Sequence, residues 1–213
     1  MEKSDAKARI LAVAEKIFAE KGFDAARVDE IAREAQVNKA LIYYYFESKA
    51  SILEELFRDF MMEMMHIIES SMEDLFLLDS DEKVRAFFKS YLGFWDSKKN
   101  ILRIMMMESL KESAPDEPLF KIMDMLMKQE EEKIKAMLRK QGLHIGYDRM
   151  EGLVSDFFTG LMPIFSFVLY KDEWAAHYGI TETELIDKFT NVFLITHLSY
   201  HRYALDRLKP ENE

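Results

Sequence analysis

The chain has 213 residues and no cysteine, and it carries a formal charge of −10 with 49% hydrophobic and 32% charged residues. This composition can bury a core, which argues against a disordered chain, and the lack of cysteine excludes disulfides, thiolate metal sites and cysteine nucleophiles. The start of the chain is polar, and the longest apolar stretch, Phe157 to Tyr170, is shorter than the roughly 18 residues of a membrane span. We therefore expect a cytoplasmic protein with no membrane partner.

The acidic excess is unevenly distributed along the chain. Up to Ala50, nine basic residues balance nine acidic ones, so the whole negative excess lies in the remainder. Most of such a protein would repel phosphate, and it could touch nucleic acid only at its neutral end.

Apolar residues recur at helical spacing almost throughout, and no sustained alternation indicates a strand, so we predict an all-α fold of about nine helices. The first helix should run from Asp5 to Lys21 and end at Gly22, which is free to take a positive φ. A second helix is predicted over Val28 to Ala35, and Asn38 should cap a third that ends near Tyr45.

A long fourth helix should begin after its cap, Ser48, and extend to about Leu75. Pro163 should kink a later helix because its ring blocks one backbone hydrogen bond, and Thr181 has capping-box spacing to Glu184. The remaining helices are predicted over 82–95, 101–110, 119–141, 148–170 and 181–208.

The tight turn between the second and third helices is typical of a helix-turn-helix, although an ordinary three-helix packing unit would show the same spacing. The residues themselves resemble the N-terminal signature of the tetracycline-repressor (TetR) family. The matching positions are Phe18, Lys21-Gly22-Phe23, Ile31-Ala32, Ala35-Gln36-Val37-Asn38-Lys39, Ile42-Tyr43-Tyr44-Tyr45-Phe46, Lys49 and Leu53. The resemblance implies a DNA-binding domain over 1–50, including the start of the fourth helix, and a helical-bundle ligand-binding and dimerisation domain over 51–213.

The same resemblance implies which residues contact DNA. Tyr43, through its hydroxyl, and Lys49 would bind phosphates, and Lys39 can donate to guanine O6 or N7. Tyr45 and Phe46 are expected to pack inward. The full predicted set is Arg27, Asn38, Lys39, Ala40, Leu41, Tyr43, Tyr44 and Lys49.

Three positions depart from the family pattern. Gln36 stands where glycine is usual, and it would cost about 1 kcal/mol if that residue needs a positive φ. Ala40 replaces a glycine that is frequent at the start of the recognition helix. Ala26 and Arg27 stand where a Thr or Ser commonly caps the second helix, and Arg27 is expected to substitute as a phosphate contact.

The body is expected to form a homodimer, because its last two long helices are apolar over more than the one face that packs on their own subunit. The predicted interface is Leu153, Phe157, Leu161, Ile164, Val168, Phe189, Val192, Phe193, Thr196 and Tyr200. Two recognition helices about 34 Å apart would then read a palindromic operator in double-stranded DNA.

Methionine and aromatic residues in the body favour a hydrophobic small-molecule effector, although each could equally be a core residue. The predicted pocket is Met61, Met65, Trp95, Met105, Met123, Met127, Phe158 and Phe165. An effector that moves the fourth helix would release a repressor from its operator.

No catalytic motif is visible, so we expect neither an enzyme nor a cofactor. His197 and His201 have the i, i+4 spacing of metal ligands, but no supporting carboxylate is evident in the sequence, and no metal site is predicted. Two alternatives remain open. One is a DNA-binding regulator without an effector, and the other is a helical small-molecule-binding protein whose DNA-binding head is silent.

Overall fold

The computed structural model describes residues 2–75, 81–111, 119–128 and 149–206. Every regular element in these ranges is a helix, so the all-α prediction is confirmed. The helices are α1 (Glu2–Lys21), α2 (Val28–Glu34), α3 (Lys39–Tyr45), α4 (Lys49–Leu75), α5 (Asp81–Ser97), α6 (Lys99–Ser109), α7 (described over 119–128), α8 (Arg149–Ser155), a π-helical segment (Asp156–Leu161), α9 (Met162–Tyr178) and α10 (Glu182–Asp206).

Local sequence sets most of the helix ends. Gly22 has a φ of 81° after α1, as predicted. The side chains of Asn38 and Thr181 each accept a hydrogen bond from the amide three residues further on, at 2.7 and 3.2 Å. Ser48 and Ser51 cap each other's amides at the start of α4. Each cap satisfies a backbone donor that the first turn of a helix leaves open.

The chain divides into two compact units. The head unit comprises Met1–Ser71 and Lys98–Phe120, and the bundle unit comprises Met72–Ser97 and Lys121–Glu213. In the head unit α6 packs on α1, and in the bundle unit α9 and α10 pack on each other and on α5. Compactness therefore groups α6 and most of α4 with the helix-turn-helix, whereas the predicted boundary at residue 50 marks only that motif.

A π-helical segment joins α8 to α9 immediately before Pro163, at the place where the sequence predicted a kink. Within it the Met162 amide donates to the Phe157 carbonyl, five residues earlier, instead of four. Pro163 has no N–H and its ring crowds the preceding turn, so the wider π turn accommodates it in the second position of α9.

The π segment lies against α10 at Gly160. An added Cβ on Gly160 would lie 2.7 Å from Cε1 of His197. The Thr159 hydroxyl donates to the Ser155 carbonyl at 2.7 Å, so at 2.9 Å from Nδ1 of His197 it accepts the imidazole proton. Nε2 of the same ring is 4.0 Å from the Asp156 carboxylate. Asp156 thus lies near His197, a contact between two helices that the spacing of residues within one helix could not predict.

Replacing Gly160 by alanine should therefore destabilise the bundle unit by about 1–3 kcal/mol, since the helix-propensity gain of about 1 kcal/mol is smaller than the cost of the clash. In a His197→Ala background the same change should stabilise by about 1 kcal/mol. Urea unfolding of the four proteins of this double-mutant cycle measures the coupling. An equal effect of Gly160→Ala in both backgrounds would show that the imidazole imposes no restriction.

The continuous helix Arg149–Tyr178 is long and apolar enough to cross a membrane, with a hydropathy of 1.6 and 39% of its most apolar window buried. Length and composition do not separate a span from a core helix. Four of its buried residues, Leu161, Ile164, Phe165 and Val168, pack within the chain, and the buried Lys171 forms ion pairs. We describe it as a core helix of the bundle unit.

Candidate nucleic-acid interface and effector site

Helix α3, which the sequence predicted to be a recognition helix, is amphipathic over its seven residues. Ile42 is fully buried, and Phe46 just beyond the helix is buried too, which fixes α3 on α1 and α2. Tyr43 and Tyr44 are 48% and 67% exposed, and Ala40 is also exposed. The predicted inward packing of Phe46 is confirmed. Two tyrosine hydroxyls thus lie on the solvent-exposed face of a short helix, where they can donate to phosphate or base edges.

The turn between α2 and α3 contains the strain that the sequence predicted. Gln36 has a φ of 55°, and it is the one non-glycine residue with positive φ in the described ranges. The Val37 amide donates to the Ala32 carbonyl at 3.0 Å, which closes a Schellman-type end on α2. A residue with a Cβ pays about 1–2 kcal/mol in this conformation.

Replacing Gln36 by glycine should therefore stabilise the head unit by a net amount of about 0.5–1 kcal/mol, because glycine also loses more backbone entropy on folding. Differential scanning fluorimetry should show a Tm higher by about 1–4 °C. Gln36→Ala, which keeps the Cβ, should leave the Tm nearly unchanged. A gain with alanine equal to that with glycine would locate the cause in the exposed side chain rather than in φ.

The predicted role of Lys49 as a direct phosphate ligand needs correction. Its Nζ donates to the backbone carbonyls of Phe23, Asp24 and Ala26 at 2.6, 3.2 and 2.9 Å, and lies 4.4 Å from the centre of the Phe23 ring. An ammonium group has three protons, and all three are used. The contacts differ from the prediction because backbone carbonyls, which the sequence does not reveal, converge on the start of α4. Lys49 positions the α1–α2 turn instead.

The other predicted cations differ in what they already bind. Lys39 forms an ion pair with Asp29 at 2.8 Å, and this hydrogen bond raises the pKa of Lys39. Arg27 precedes α2 with an extended backbone, and its side chain provides no cap, as the sequence predicted. Among the described residues Arg27 has no ion-pair partner within 4.0 Å, so its exposed guanidinium is available to a phosphate.

The sequence analysis did not predict the ion pairs that Lys111 forms in the head unit. Lys111, just after α6, lies 2.6 Å from the carboxylate of Asp24 and 2.8 Å from that of Glu108. The contact lowers the pKa of Asp24. Lys49 at the start of α4 and Lys111 after α6 therefore both bind the α1–α2 turn. The partners are 87 residues apart, so no local pattern could reveal them.

The predicted dimer face is partly wrong. Leu161, Ile164, Val168 and Phe193 are buried in the chain's own core, and Phe189 stacks on Phe167 at 4.0 Å between ring centres. The four buried residues are therefore core residues of the chain itself, and Phe189 is half-buried beside them. The helix is apolar almost all round and a π turn inserts an extra residue, so periodicity alone gave the wrong phase.

Other apolar residues of the bundle unit do face solvent. Val192 and Thr196 of the predicted set are exposed on α10, Leu153 and Phe157 are half-buried, and the side chain of Tyr200 lies outside the described residues. Other large exposed apolar side chains, which the sequence analysis did not assign to the dimer interface, lie on α8, the π segment, α9 and α10: Met150, Val154, Phe158, Tyr170, Trp174, Tyr178 and Ile195.

The residues of the predicted effector pocket lie in different surroundings in the described parts of the chain. Phe158 is 65% exposed, so its assignment to a buried pocket was wrong. Trp95 and Phe165 do meet, edge to face with ring centres 4.6 Å apart, and both are fully buried in the bundle unit, where Met123 and Met127 are buried as well. The three remaining predicted residues belong to the head unit, where Met105 is buried and Met61 and Met65 are half-buried.

The described side chains do not form a metal site. Within the described residues no group of three or more His, Asp or Glu side chains is placed to hold a metal ion. Asp156 lies 4.0 Å from His197, but no third ligand accompanies them among the described residues. The side chain of His201 lies outside the described residues.

Comparison with known proteins agrees with this geometry at the N-terminus. The family described as bacterial regulatory proteins, tetR family, matches residues 10–56. That segment holds most of α1, all of α2 and α3, and the first residues of α4. The part of the head that is similar to the TetR family therefore includes α3 and its exposed face.

Two curated relatives match parts of the chain. "Probable HTH-type transcriptional regulator YttP" of Bacillus subtilis is 27% identical over 106 residues, which is 50% of this chain and 51% of that protein. IcaR, the negative transcriptional regulator of the biofilm operon icaADBC in Staphylococcus aureus, is 46% identical over 39 residues, 18% of this chain and 21% of its own length. The matched region thus spans about half of YttP and about a fifth of IcaR.

Solved structures extend the likeness beyond the TetR-family head. FadR from Bacillus subtilis, solved with stearoyl-CoA, has a TM-score of 0.62 at 18% identity and covers 87% of this chain and 96% of its own. FadR from Bacillus halodurans gives 0.62 at 20% identity, covering 89% and 94%. At these identities the likeness shows a shared fold.

Proposed function

We propose that the protein is a transcriptional regulator of the TetR type, a homodimeric repressor that a hydrophobic small molecule releases from a palindromic operator. The observation that carries the proposal is the solvent-exposed face of α3, which presents Tyr43 and Tyr44. Arg27, which forms no ion pair with a described residue, belongs to the same segment that matches the family. The described residues contain no cluster of side chains that we recognise as a catalytic site, and we propose no enzymatic activity.

Homodimerisation is supported by the exposed apolar side chains of the bundle unit. Val192 and Ile195 are 59% and 70% exposed on α10, and Phe158 is exposed on the π segment that packs against the same helix. Large apolar side chains exposed on two helices that pack together are a feature of protein–protein interfaces. A two-fold dimer would cover these side chains and pair two heads on successive turns of the major groove.

The exposed α10 face yields a direct prediction. Ile195→Glu should convert the dimer to a monomer at micromolar concentration in sedimentation velocity, because a buried carboxylate without a partner costs several kcal/mol. Leu110→Glu, at an 81% exposed apolar residue of the head unit, is the matched control and should remain dimeric. A dimer that survives Ile195→Glu would place the interface elsewhere.

A hydrophobic effector is supported by two observations. The interior of the bundle unit is lined with polarisable and aromatic side chains such as Trp95, Met123 and Phe165, which adapt to apolar ligands. FadR of Bacillus subtilis, a protein of the same fold, holds stearoyl-CoA. We propose that such a ligand shifts the population between two arrangements of the head, through α4 and α6.

Selection of bound duplexes from a randomised DNA pool tests the DNA-binding part of the proposal. The full chain should enrich two inverted half-sites with centres separated by one or two helical turns, about 10 or 21 base pairs. Adding long-chain acyl-CoA or other hydrophobic compounds to the enriched duplex then tests release. Failure to enrich any sequence would favour the alternative of a silent head.

A further inference from the structure

The bundle unit contains a cleft of about 270 Å³ that none of the predicted pocket residues line. Three helices form it, and each contributes one stripe: α5 through residues such as Gly93 and Asp96, α9 through Phe167 and Lys171, and α10 through its first two turns. Its size is near the lower end of the roughly 300–1,000 Å³ of small-molecule pockets, so it suits a compact ligand.

The floor of the cleft is apolar. Leu92 and Val168 are buried, and Phe167 and Ile186 are half-buried beside them. Gly93 leaves room above this floor, because a Cβ built on it would meet no atom within 4 Å. An apolar ligand body can therefore lie against the floor without displacing any side chain.

The wall of the cleft is charged, and Lys171 organises it. Lys171 is only 7% exposed, and its ammonium group lies 2.5 Å from Glu182 of α10, 3.2 Å from Asp172 and 3.4 Å from Asp96 of α5. Burial alone would lower the pKa of Lys171, but the hydrogen bonds to Glu182 and Asp172 outweigh it and raise the pKa. Lys171 therefore stays charged, and with two close carboxylates on it, it cannot serve as an anion receptor.

Carboxylates outnumber ammonium groups in the lining of the cleft. Two lysines and three carboxylates line the cleft, and Lys89 is already paired with Asp187 at 2.5 Å. Asp96 is the least satisfied of the three, since its single ion pair, to Lys171, is long at 3.4 Å and its side chain is 42% exposed. The carboxylate oxygens of Asp96 can therefore still accept hydrogen bonds from the N–H groups of a ligand.

We propose that this cleft binds a small organic cation, with its ammonium group on Asp96 and its apolar body on Leu92, Phe167 and Ile186. The site is separate from the apolar interior of the bundle and from the TetR-family head, so it stands whether or not the proposed repressor function holds. An occupant would contact α5, α9 and α10 together and so stabilise their packing.

Isothermal titration calorimetry of the full chain tests the cleft, with 2-phenylethylammonium, 4-phenylbutylammonium and cyclohexylmethylammonium as probes. At least one should bind saturably below about 1 mM, and 3-phenylpropionate, of similar size but opposite charge, should bind at least tenfold more weakly. Asp96→Asn should weaken binding at least tenfold. Glu173→Gln, an exposed carboxylate of α9 outside the cleft, is the matched control and should change nothing.

Gly93→Leu provides an independent variant, because Asp96→Asn also removes a partner of Lys171. Leucine at this exposed helical position should fill the cleft, raise the Tm slightly and abolish binding. Two results would overturn the proposal: no saturable binding of any of the three ammonium probes, or binding that persists unchanged in Gly93→Leu.

Discussion

Replacing Lys49 by alanine is expected to destabilise the head unit by about 2–3 kcal/mol and to lower DNA affinity at least tenfold. The ammonium group holds three carbonyls of the α1–α2 turn, and hydrogen bonds to charged groups contribute about 1.5–3 kcal/mol. Thermal unfolding should show a Tm lower by about 5–10 °C. Lys16→Ala, on the exposed face of α1, is the control and should leave the Tm unchanged.

The salt dependence of DNA binding separates the two roles of this lysine. If Lys49 acts by positioning the turn, the slope of log K against log salt stays that of the unmodified protein in Lys49→Ala while the affinity falls. A direct phosphate contact would instead reduce the slope by about 0.9. A reduced slope with an unchanged Tm would restore the phosphate-ligand interpretation that the hydrogen bonds contradict.

Truncating Trp95 to alanine should have the largest effect on stability, a loss of about 3–5 kcal/mol and a fall in Tm of about 8–16 °C. Trp95 is fully buried and packs edge to face on Phe165. Phe165→Leu, a smaller truncation of the same contact, should cost about 1–2 kcal/mol.

Trp174, the second of the two tryptophans, is the matched control for Trp95. It is 44% exposed on α9, and Trp174→Ala should cost less than about 1 kcal/mol. A small loss for Trp95→Ala would contradict the assignment of Trp95 as a core residue packed on Phe165.

Features encoded in a few consecutive residues could be predicted from the sequence. The Asn38 and Thr181 caps, the positive φ of Gln36 and the disturbance before Pro163 each depend on local backbone chemistry that one residue type satisfies or violates. The similarity of the head to the TetR family could be predicted for the same reason, because the matching residues lie within one segment, 10–56.

Features that depend on the phase of an apolar helix could not be predicted. α9 and the π segment are apolar on several faces, so the sequence does not say which of Ile164 and Phe158 turns inward, and the π turn rotates everything after it. Contacts between distant residues were invisible for a different reason. Lys111 contacts Asp24, and Asp156 lies near His197, only because the helices that carry them pack together.

Fluorescence anisotropy of the full chain on its selected duplex, at several salt concentrations, tests the central claim most directly. The account predicts saturable binding that Tyr43→Phe weakens, and a salt slope that Arg27→Ala reduces by about 0.9 while Lys16→Ala leaves it unchanged. Binding no tighter than to random DNA, and indifferent to Tyr43 and Arg27, would contradict the assignment of the exposed α3 face as a DNA-reading surface.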